Sequence, residues 1–275
     1  FYRFNPKEIA PADAAPPAGS SRRISEEQWP AIAALYTRFA APRNGYLDRD
    51  EPWWKETVFR RIYDDQRRPN DVAVWTDGGG EPRGYVVYHS ERERRTDGPD
   101  VTKLVAAELI ALDGDAYKGL LRYLLSHDLA GEVVLWARTD EPLPLAVDEP
   151  GRIKMEHWHG FMLRIVDVEQ AIAARPPAKD APEGAFTVHI ADAAAPWNQG
   201  AWRIECSGGR LAAARVEGPA GLATDAAAFA AMYNGFLRPS EAVRSGLAQA
   251  SDPEAATTAD RILAVDSPPH PADFF

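Results

Sequence analysis

Hydrophobic positions recur at three- and four-residue steps in the first quarter of the chain, which is the period of a helix with one apolar face. The spacing predicts a helix over 24–40 (ISEEQWPAIAALYTRFA), with Ser25 as its N-cap, and a second helix over 50–65 (DEPWWKETVFRRIYDD). The residues predicted to face the core are Ile32, Leu35, Tyr36 and Phe39 in the first helix and Trp54, Val58, Phe59 and Ile62 in the second.

Beyond residue 70 the pattern changes to short β-rich runs separated by turn residues. The predicted strands lie at 71–77, 84–90, 102–112, 131–139 and 154–168, and the leucine-rich stretch 115–128 predicts a helix between the third and the fourth. The first two strands predict a hairpin. Helices before and inside a run of strands predict an α+β or α/β sandwich.

A proline-rich stretch at 175–184 (RPPAKDAPEG) interrupts this pattern and marks a composition boundary near Arg175. Beyond it, alternating apolar residues predict three strands of a small antiparallel sheet. The alternating residues are Phe186, Val188 and Ile190 in the first strand and Trp202, Ile204 and Cys206 in the second. Helices are predicted over 224–237, 238–250 and 252–265, so this part of the chain is a second, smaller α+β domain.

Composition and charge exclude several classes of function. Of the 275 residues, 45% are hydrophobic and 26% are charged, and no apolar run is long enough to span a membrane. The net charge of -10 argues against a nucleic-acid partner, although an acidic surface attracts cationic small molecules. The single cysteine, Cys206, excludes an internal disulfide and is predicted to be a structural thiol, and we expect a cytoplasmic protein.

Two histidines raise the question of a metal site. His157 and His159 stand two apart on a predicted strand, so both side chains would point to one side and form half of a site. A third ligand would have to come from afar, from Glu108 or His89. The alternative, which we favour, is a strand with no metal and with Trp158 in the core.

Trp53 and Trp54 are adjacent on the second predicted helix. Neighbouring side chains on a helix diverge by about 100°, so only one of the two can face the core. The other either packs at an interface or lines an amine pocket through a cation–π contact.

Five segments of the chain carry a family resemblance. In order they are ALYTRF…GYLDRDEPWWKE, GEPRGYVVYH, FMLRIVDVEQAIAAR, GAWRIECSGGRLAAARV and the aromatic C-terminus PHPADFF. Together they resemble the enhanced-intracellular-survival (Eis) type of N-acetyltransferase, whose members have an acetyl-CoA-binding GNAT domain, a second GNAT-like domain and a sterol-carrier-protein-like domain. The resemblance implies that 1–23 is a linker and the remnant of an upstream domain, that 24–168 is GNAT-like, and that 169–275 is sterol-carrier-like.

The turn at 112–119 (LDGDAYKG) departs from a working cofactor site. GNAT acetyltransferases place an Arg-x-x-Gly-x-Gly/Ala turn here, so that backbone N–H groups and a helix N-terminus hold the pyrophosphate. In this chain Asp113 and Asp115 flank a single glycine with no arginine ahead, and two acids would repel a pyrophosphate. We therefore expect acetyl-CoA to be the cofactor of the full-length enzyme, bound by the missing domain, and no cofactor in this chain.

The resemblance also implies where the substrate binds. In this family the C-terminal carboxylate, here that of Phe275, orients and deprotonates the amine substrate. The residues expected to line the site are Trp53, Trp54, His159, Asp273 and Phe274, although His159 stands where relatives often have an acid, which argues against aminoglycoside-like polyamines. The partners implied are a small-molecule amine and further copies of the chain, since relatives assemble as hexamers.

Two other functions remain open. The smaller domain could bind an apolar ligand, lined by Phe186, Trp202, Phe229 and Phe236, or the whole portion could serve as an oligomerisation scaffold without catalysis.

Overall fold

The computed structural model describes residues 1–13, 15–62, 68–94, 99–158 and 160–273. The described residues divide into two compact units. Unit 1 consists of 1–42 and 46–158, and unit 2 consists of 160–273 together with the three-residue loop 43–45, which comes from the middle of the unit 1 sequence.

Within the described residues, seven strands form the sheet of unit 1, in the order β2-β3-β4-β5-β6-β1-β7. They are β1 (Tyr2–Phe4), β2 (Gly19–Ile24), β3 (Asp71–Asp77), β4 (Pro82–Glu93), β5 (Val101–Ala111), β6 (Glu132–Leu135) and β7 (Lys154–Met155). Neighbours are antiparallel except β5 and β6, which run parallel. Residues 1–23, predicted to be a linker and a remnant of another domain, thus supply β1 and most of β2 to this sheet.

Helices cover both faces of this sheet. Alternate residues of a strand point to opposite faces, so β3 directs Val72 and Val74 to one core and Ala73 and Trp75 to the other. The first core is closed by α1 (Trp29–Ala40) and a π-helical segment (Trp53–Phe59), and the second by α2 (Gly114–Leu125). The shorter elements are α3 (Leu143–Ala146) and 3-10 turns at Glu26–Gln28 and Pro150–Arg152.

The periodic predictions for the helices are confirmed where the residues are described. All four predicted core residues of the first helix are buried in α1, which follows the turn capped by Ser25. In the second helix Trp54, Val58 and Phe59 are buried, but the prediction for Ile62 is wrong, because the π-helical segment ends at Phe59 and Ile62 is exposed. The predicted end of that helix, 63–65, lies outside the described residues.

The prediction of a strand over 154–168 is wrong beyond Met155. β7 has only two residues, and they pair with β1: Tyr2 pairs with Met155 and Arg3 with Lys154. Beyond Met155 the described part of the chain pairs with no strand as far as Trp158, which is 70% exposed rather than in the core because no sheet face covers it.

Unit 2 contains a five-stranded sheet in the order β10-β9-β8-β11-β12, counted over the described residues. Its strands are β8 (Gly184–Ala191), β9 (Gly200–Ser207), β10 (Arg210–Arg215), β11 (Leu222–Asp225) and β12 (Ala248–Ala250), and its helices are α4 (Val168–Ala174), α5 (Ala226–Tyr233), α6 (Pro239–Arg244) and α7 (Pro253–Ile262). The three predicted strands are confirmed, including the alternating buried residues of β8 and β9.

Two strands of unit 2 were not predicted. β11 pairs parallel with β8 and antiparallel with β12, which occupies the end of the predicted helix 238–250. Both are short and carry mostly small residues, so pairing rather than local propensity makes them strands. Cys206 is buried in the core beneath this sheet, and burial raises the pKa of its thiol.

Over the part of the chain that the structure describes, no helix combines the length and the apolar character that crossing a membrane requires.

Candidate functional site

A carboxylate occupies the N-terminus of α2, where a GNAT cofactor turn would hold pyrophosphate. The Asp113 side chain accepts a hydrogen bond from the Ala116 N–H at 2.9 Å, so it caps the helix. Arg83, at the start of β4, donates to the other carboxylate oxygen through Nε at 2.8 Å and lies 2.7 Å away through Nη2. Burial opposes ionisation, but these hydrogen bonds outweigh it and lower the pKa of the Asp113 carboxyl.

This arrangement satisfies the helix N-terminus with the protein's own anion. A bound pyrophosphate would have to displace Asp113 and compete for the same backbone N–H groups. Sequence reasoning found the acid of this turn but missed Arg83, because the arginine comes from another strand, thirty positions earlier in the chain. The turn therefore starts the helix with an N-cap that is itself an anion.

A buried polar network lies on the other face of the sheet in unit 1. Arg49 and Glu108 form a two-bond ion pair, with nitrogen–oxygen distances of 3.1 and 2.6 Å. The Tyr85 hydroxyl donates to a Glu108 oxygen at 2.5 Å, and burial together with the Glu108 charge raises the pKa of that phenol. The Arg49 guanidinium lies 4.0 Å from the Tyr36 ring centroid and 4.9 Å from that of Trp54.

The side chain of Trp54 packs against this network. Its side chain is 1% exposed and packs edge-on against Tyr36 and Tyr85, with centroid distances of 5.5 and 6.4 Å. Of the two tryptophans, Trp54 is therefore the one that faces the core. Its side chain packs against other side chains of unit 1 and does not line a pocket there. Trp53 is half-buried at the edge of the same core, and its backbone N–H donates to Asp50 Oδ1 at 2.9 Å.

Two of the four candidate metal ligands, Glu108 and His89, form hydrogen bonds with other side chains. Both Glu108 oxygens are engaged by Arg49, and the ring nitrogens of His89 lie 3.0 Å from Asn70 Oδ1 and 2.8 Å from Glu91 Oε1. His157 is exposed, and His159 lies outside the described residues. Within those residues, no three histidine, cysteine or acidic side chains group closely enough to hold a metal ion.

In unit 2 a buried arginine bonds to the start of the residues that follow α7, 263–273, which we call the C-terminal segment. Arg175, which follows α4, donates through Nε to the Tyr233 carbonyl at 2.8 Å and through Nη2 to the Leu263 and Ala264 carbonyls at 2.7 and 3.0 Å. These carbonyls lie at the C-terminal ends of α5 and α7, where the helix dipole attracts a cation. Burial lowers the pKa of the Arg175 guanidinium.

Further along, the C-terminal segment is held by the loop 43–45. The His270 N–H donates to the Asn44 carbonyl at 3.1 Å, and the Asn44 side-chain amide reaches the Asn234 carbonyl at 3.4 Å. Asp273, predicted to be near the substrate, is described and is 7% exposed. Phe274 and Phe275 lie outside the described residues. The Asn44–Gly45 pair predicts a turn from the sequence, but the sequence pattern does not indicate that this turn contacts His270.

Three of the four residues expected to line an apolar cavity in unit 2 lie in its core, and the fourth does not. Phe186, Trp202 and Phe229 are packed in the main core with the sheet and helix side chains, whereas Phe236 is exposed. The Trp202 indole N–H donates to the Asn198 carbonyl at 2.8 Å, as a buried tryptophan requires. These side chains stabilise the fold of unit 2.

Each of the two parts of the chain is similar to a known protein family. Residues 45–165 match the model of an acetyltransferase (GNAT) domain, and residues 168–271 match that of a sterol carrier protein domain. The predicted fold class, a GNAT-like sandwich followed by a sterol-carrier-like α+β domain, is confirmed.

Individual relatives agree with this assignment. An uncharacterized N-acetyltransferase of Streptomyces coelicolor is 29% identical over 224 residues, which cover 78% of this chain and 52% of that protein. Eis1 from Mycobacterium abscessus is similar in structure, with a TM-score of 0.73 and 26% identity over 100% of this chain and 67% of that one. A GCN5-related N-acetyltransferase from Anabaena variabilis has a TM-score of 0.82 at 22% identity, covering 100% and 66%, and shows the fold.

The chain spans about half the length of the Streptomyces relatives that it matches: 52% of one and 49% of another. Membership of the Eis type stays a prediction, as do the substrate and the hexamer.

Proposed function

We propose that this chain forms the substrate-binding and C-terminal part of an amine N-acetyltransferase of the Eis type, with acetyl-CoA bound by a GNAT domain upstream of it. The observation that carries the proposal is the pairing of a GNAT-like unit whose cofactor turn is capped by Asp113 with a sterol-carrier-like unit whose C-terminal segment is packed as far as Asp273. The similarity to Eis1 supports the same reading.

In this mechanism the α-carboxylate of Phe275 orients the cationic amine and accepts a proton from it. The neutral nitrogen attacks the thioester carbonyl carbon, a carbon–nitrogen bond forms, the carbon–sulfur bond breaks, and the nitrogen releases its second proton to solvent. An acid of the upstream domain protonates the leaving thiolate of coenzyme A. A positioned base of this kind contributes about 10²–10⁴-fold to the rate.

The remaining predicted site residues take supporting roles. Trp53, His159 and Phe274 would line the amine pocket, and Asp273 would add negative charge near the bound cation. Trp54 would act from the core, by holding the wall that carries Trp53. The acidic net charge of -10 favours a cationic substrate over an anionic one.

Changing the position of the terminal carboxylate tests the mechanism. Adding one glycine after Phe275 moves the carboxylate by about 3.8 Å, the length of one residue, and should lower kcat about 100-fold. The matched control is Phe275→Ala, which keeps the α-carboxylate in place and should retain most of the kcat gained from the base. Release of coenzyme A from acetyl-CoA with a panel of amines, using the full-length protein, measures both.

Binding measurements on residues 1–275 alone test the cofactor half of the proposal. Calorimetry should detect no micromolar binding of coenzyme A, because Asp113 and its hydrogen bonds occupy the helix N-terminus. Micromolar binding would overturn that half, and full activity of the glycine-extended protein would overturn the role of Phe275.

A further inference from the structure

The loop 43–45 lies between α1 and the π-helical segment in the sequence, yet it packs with unit 2. Its contacts there are with the C-terminal segment and with the end of α5. The Asn44 carbonyl accepts from the His270 N–H, and the Asn44 side chain reaches the carbonyl of Asn234, which ends α5. One residue of the loop therefore links the C-terminal segment to a helix.

Gly45 makes this approach possible. Its φ of +92° is in the left-handed region, and a Cβ placed on it would lie 2.8 Å from the His270 carbonyl oxygen and 3.1 Å from the His270 backbone nitrogen and carbonyl carbon. These are backbone atoms, which cannot turn aside as a flexible side chain would. The backbone of the loop and the backbone at His270 are thus in direct contact, and only glycine permits it.

The contact at His270 adds to an attachment earlier in the same segment. Arg175 holds the segment at Leu263 and Ala264, and between there and His270 the chain contains the Pro268–Pro269 pair, which limits its freedom. Beyond His270 comes Pro271, and then Asp273, which is buried. A segment attached at both ends and stiffened by prolines loses little further entropy when its last residues take up one position.

We propose that the loop 43–45 is a positioning element for the C-terminus: by fixing the backbone at His270 it sets where the terminal carboxylate stands. The inference rests on the proposed function, in which that carboxylate is the base. Asn44 and Gly45 act through the tail and touch neither substrate nor cofactor. A displacement of the base by about 1 Å is enough to cost about 100-fold in rate.

Gly45→Ala is the variant that tests the loop, and Gly80→Ala is its matched control. Gly80 has nearly the same φ, +89°, but a Cβ there meets nothing within 4 Å, so the control has the backbone strain without the clash. The first measurement is hydrogen exchange at the His270 amide in the full-length protein. Exchange should become about tenfold faster in Gly45→Ala, because its hydrogen bond to Asn44 is lost, and stay unchanged in Gly80→Ala.

The second measurement is steady-state kinetics with acetyl-CoA and an amine substrate. Gly45→Ala should lower kcat about 10- to 100-fold and leave the KM for acetyl-CoA unchanged, whereas Gly80→Ala should keep both. Unchanged exchange at His270 would overturn the inference whatever the activity. Faster exchange with an unchanged kcat would overturn the catalytic use of the tail, and with it the role of Phe275 in the proposed function.

A gentler variant covers the case in which Gly45→Ala does not fold. Asn44→Ala removes the side-chain hydrogen bond to Asn234 and keeps the carbonyl that holds His270. We expect exchange at His270 about threefold faster, with a fall in kcat of similar size, because one weak hydrogen bond is lost. Exchange and kcat identical to those of the wild-type protein would overturn the inference.

Discussion

Both units bury an arginine, and the two are compensated in different ways. Arg49 in unit 1 has a carboxylate partner, Glu108, and lies against two aromatic rings. Arg175 in unit 2 donates to the carbonyls of Tyr233, Leu263 and Ala264 at the ends of two helices, and within the described residues its hydrogen-bond partners are these backbone oxygens. A full charge can therefore be buried either by another charge or by aligned backbone dipoles.

The difference has a consequence for what each arginine holds in place. The partner of Arg49 is a side chain of a central strand, so the pair fastens the segment after the loop 43–45 to the sheet of unit 1. The partners of Arg175 are backbone groups at the beginning of the C-terminal segment. Arg175 thus determines the path of that segment, which the proposed function requires to be ordered.

The largest expected effect is that of breaking the ion pair on one side. Glu108→Gln removes the carboxylate that accepts two hydrogen bonds from the buried Arg49, and should lower the free energy of unfolding by about 3–5 kcal/mol. Guanidinium unfolding followed by near-UV circular dichroism measures it.

The control for this variant removes both charges. The double variant Arg49→Met/Glu108→Gln should recover most of the loss, because it removes the buried guanidinium together with the carboxylate. A double variant as unstable as the single one would show that packing, and not the charge, is what the network supplies.

A smaller effect is expected in unit 2. Arg175→Met leaves buried carbonyls without donors, and each such group costs about 1–3 kcal/mol. The same unfolding measurement applies, and hydrogen exchange over 264–273 should become faster.

Arg175→Lys sharpens this comparison. Lysine keeps the charge but lacks the forked geometry that reaches several carbonyls at once, so its stability should fall between wild type and Arg175→Met. If lysine restored wild-type stability, the charge alone would be sufficient and the geometry of the three hydrogen bonds would not matter.

The smallest effect concerns Asp113, a half-exposed anion compensated by both a helix N-terminus and Arg83. Its pKa is lowered in the folded protein, so its contribution to stability is present above the unfolded value of 3.8 and is lost as the pH falls through the folded pKa. Asp113→Ala should cost about 1 kcal/mol at neutral pH.

Asp113→Asn separates the two components of that effect. Asparagine still caps the helix but carries no charge, so the variant should retain most of the stability and lose the pH dependence below pH 4. Unfolding curves recorded between pH 2.5 and 7 distinguish the variants. A pH dependence that survives in Asp113→Asn would assign it to another carboxyl.

The local sequence pattern predicted the buried residues correctly where a helix or strand buries one regular face. The alternation in β8 and β9 and the helical spacing in α1 each predicted their buried residues, because side-chain direction along a regular element follows from its period alone. The sequence also showed two acids at the turn before α2, but the N-cap role of Asp113 came from the structure.

Other elements depended on partners distant in the chain. The predicted strand over 154–168 pairs with β1 only at Lys154 and Met155, and β11 and β12 pair with strands that lie more than twenty residues away in the sequence. No periodicity contains that information.

In the candidate site, too, some features followed from the sequence and others only from the structure. The sequence by itself predicted the order of the two folds and showed the two acids at the turn before α2, and the resemblance drew attention to the C-terminus. Only the tertiary structure paired Arg49 with Glu108, brought Arg83 to Asp113 and placed the loop 43–45 against His270. These pairs join residues separated by 59, 30 and more than 200 positions, and contacts of that kind are decided by packing and hydrogen-bond geometry rather than by local propensity.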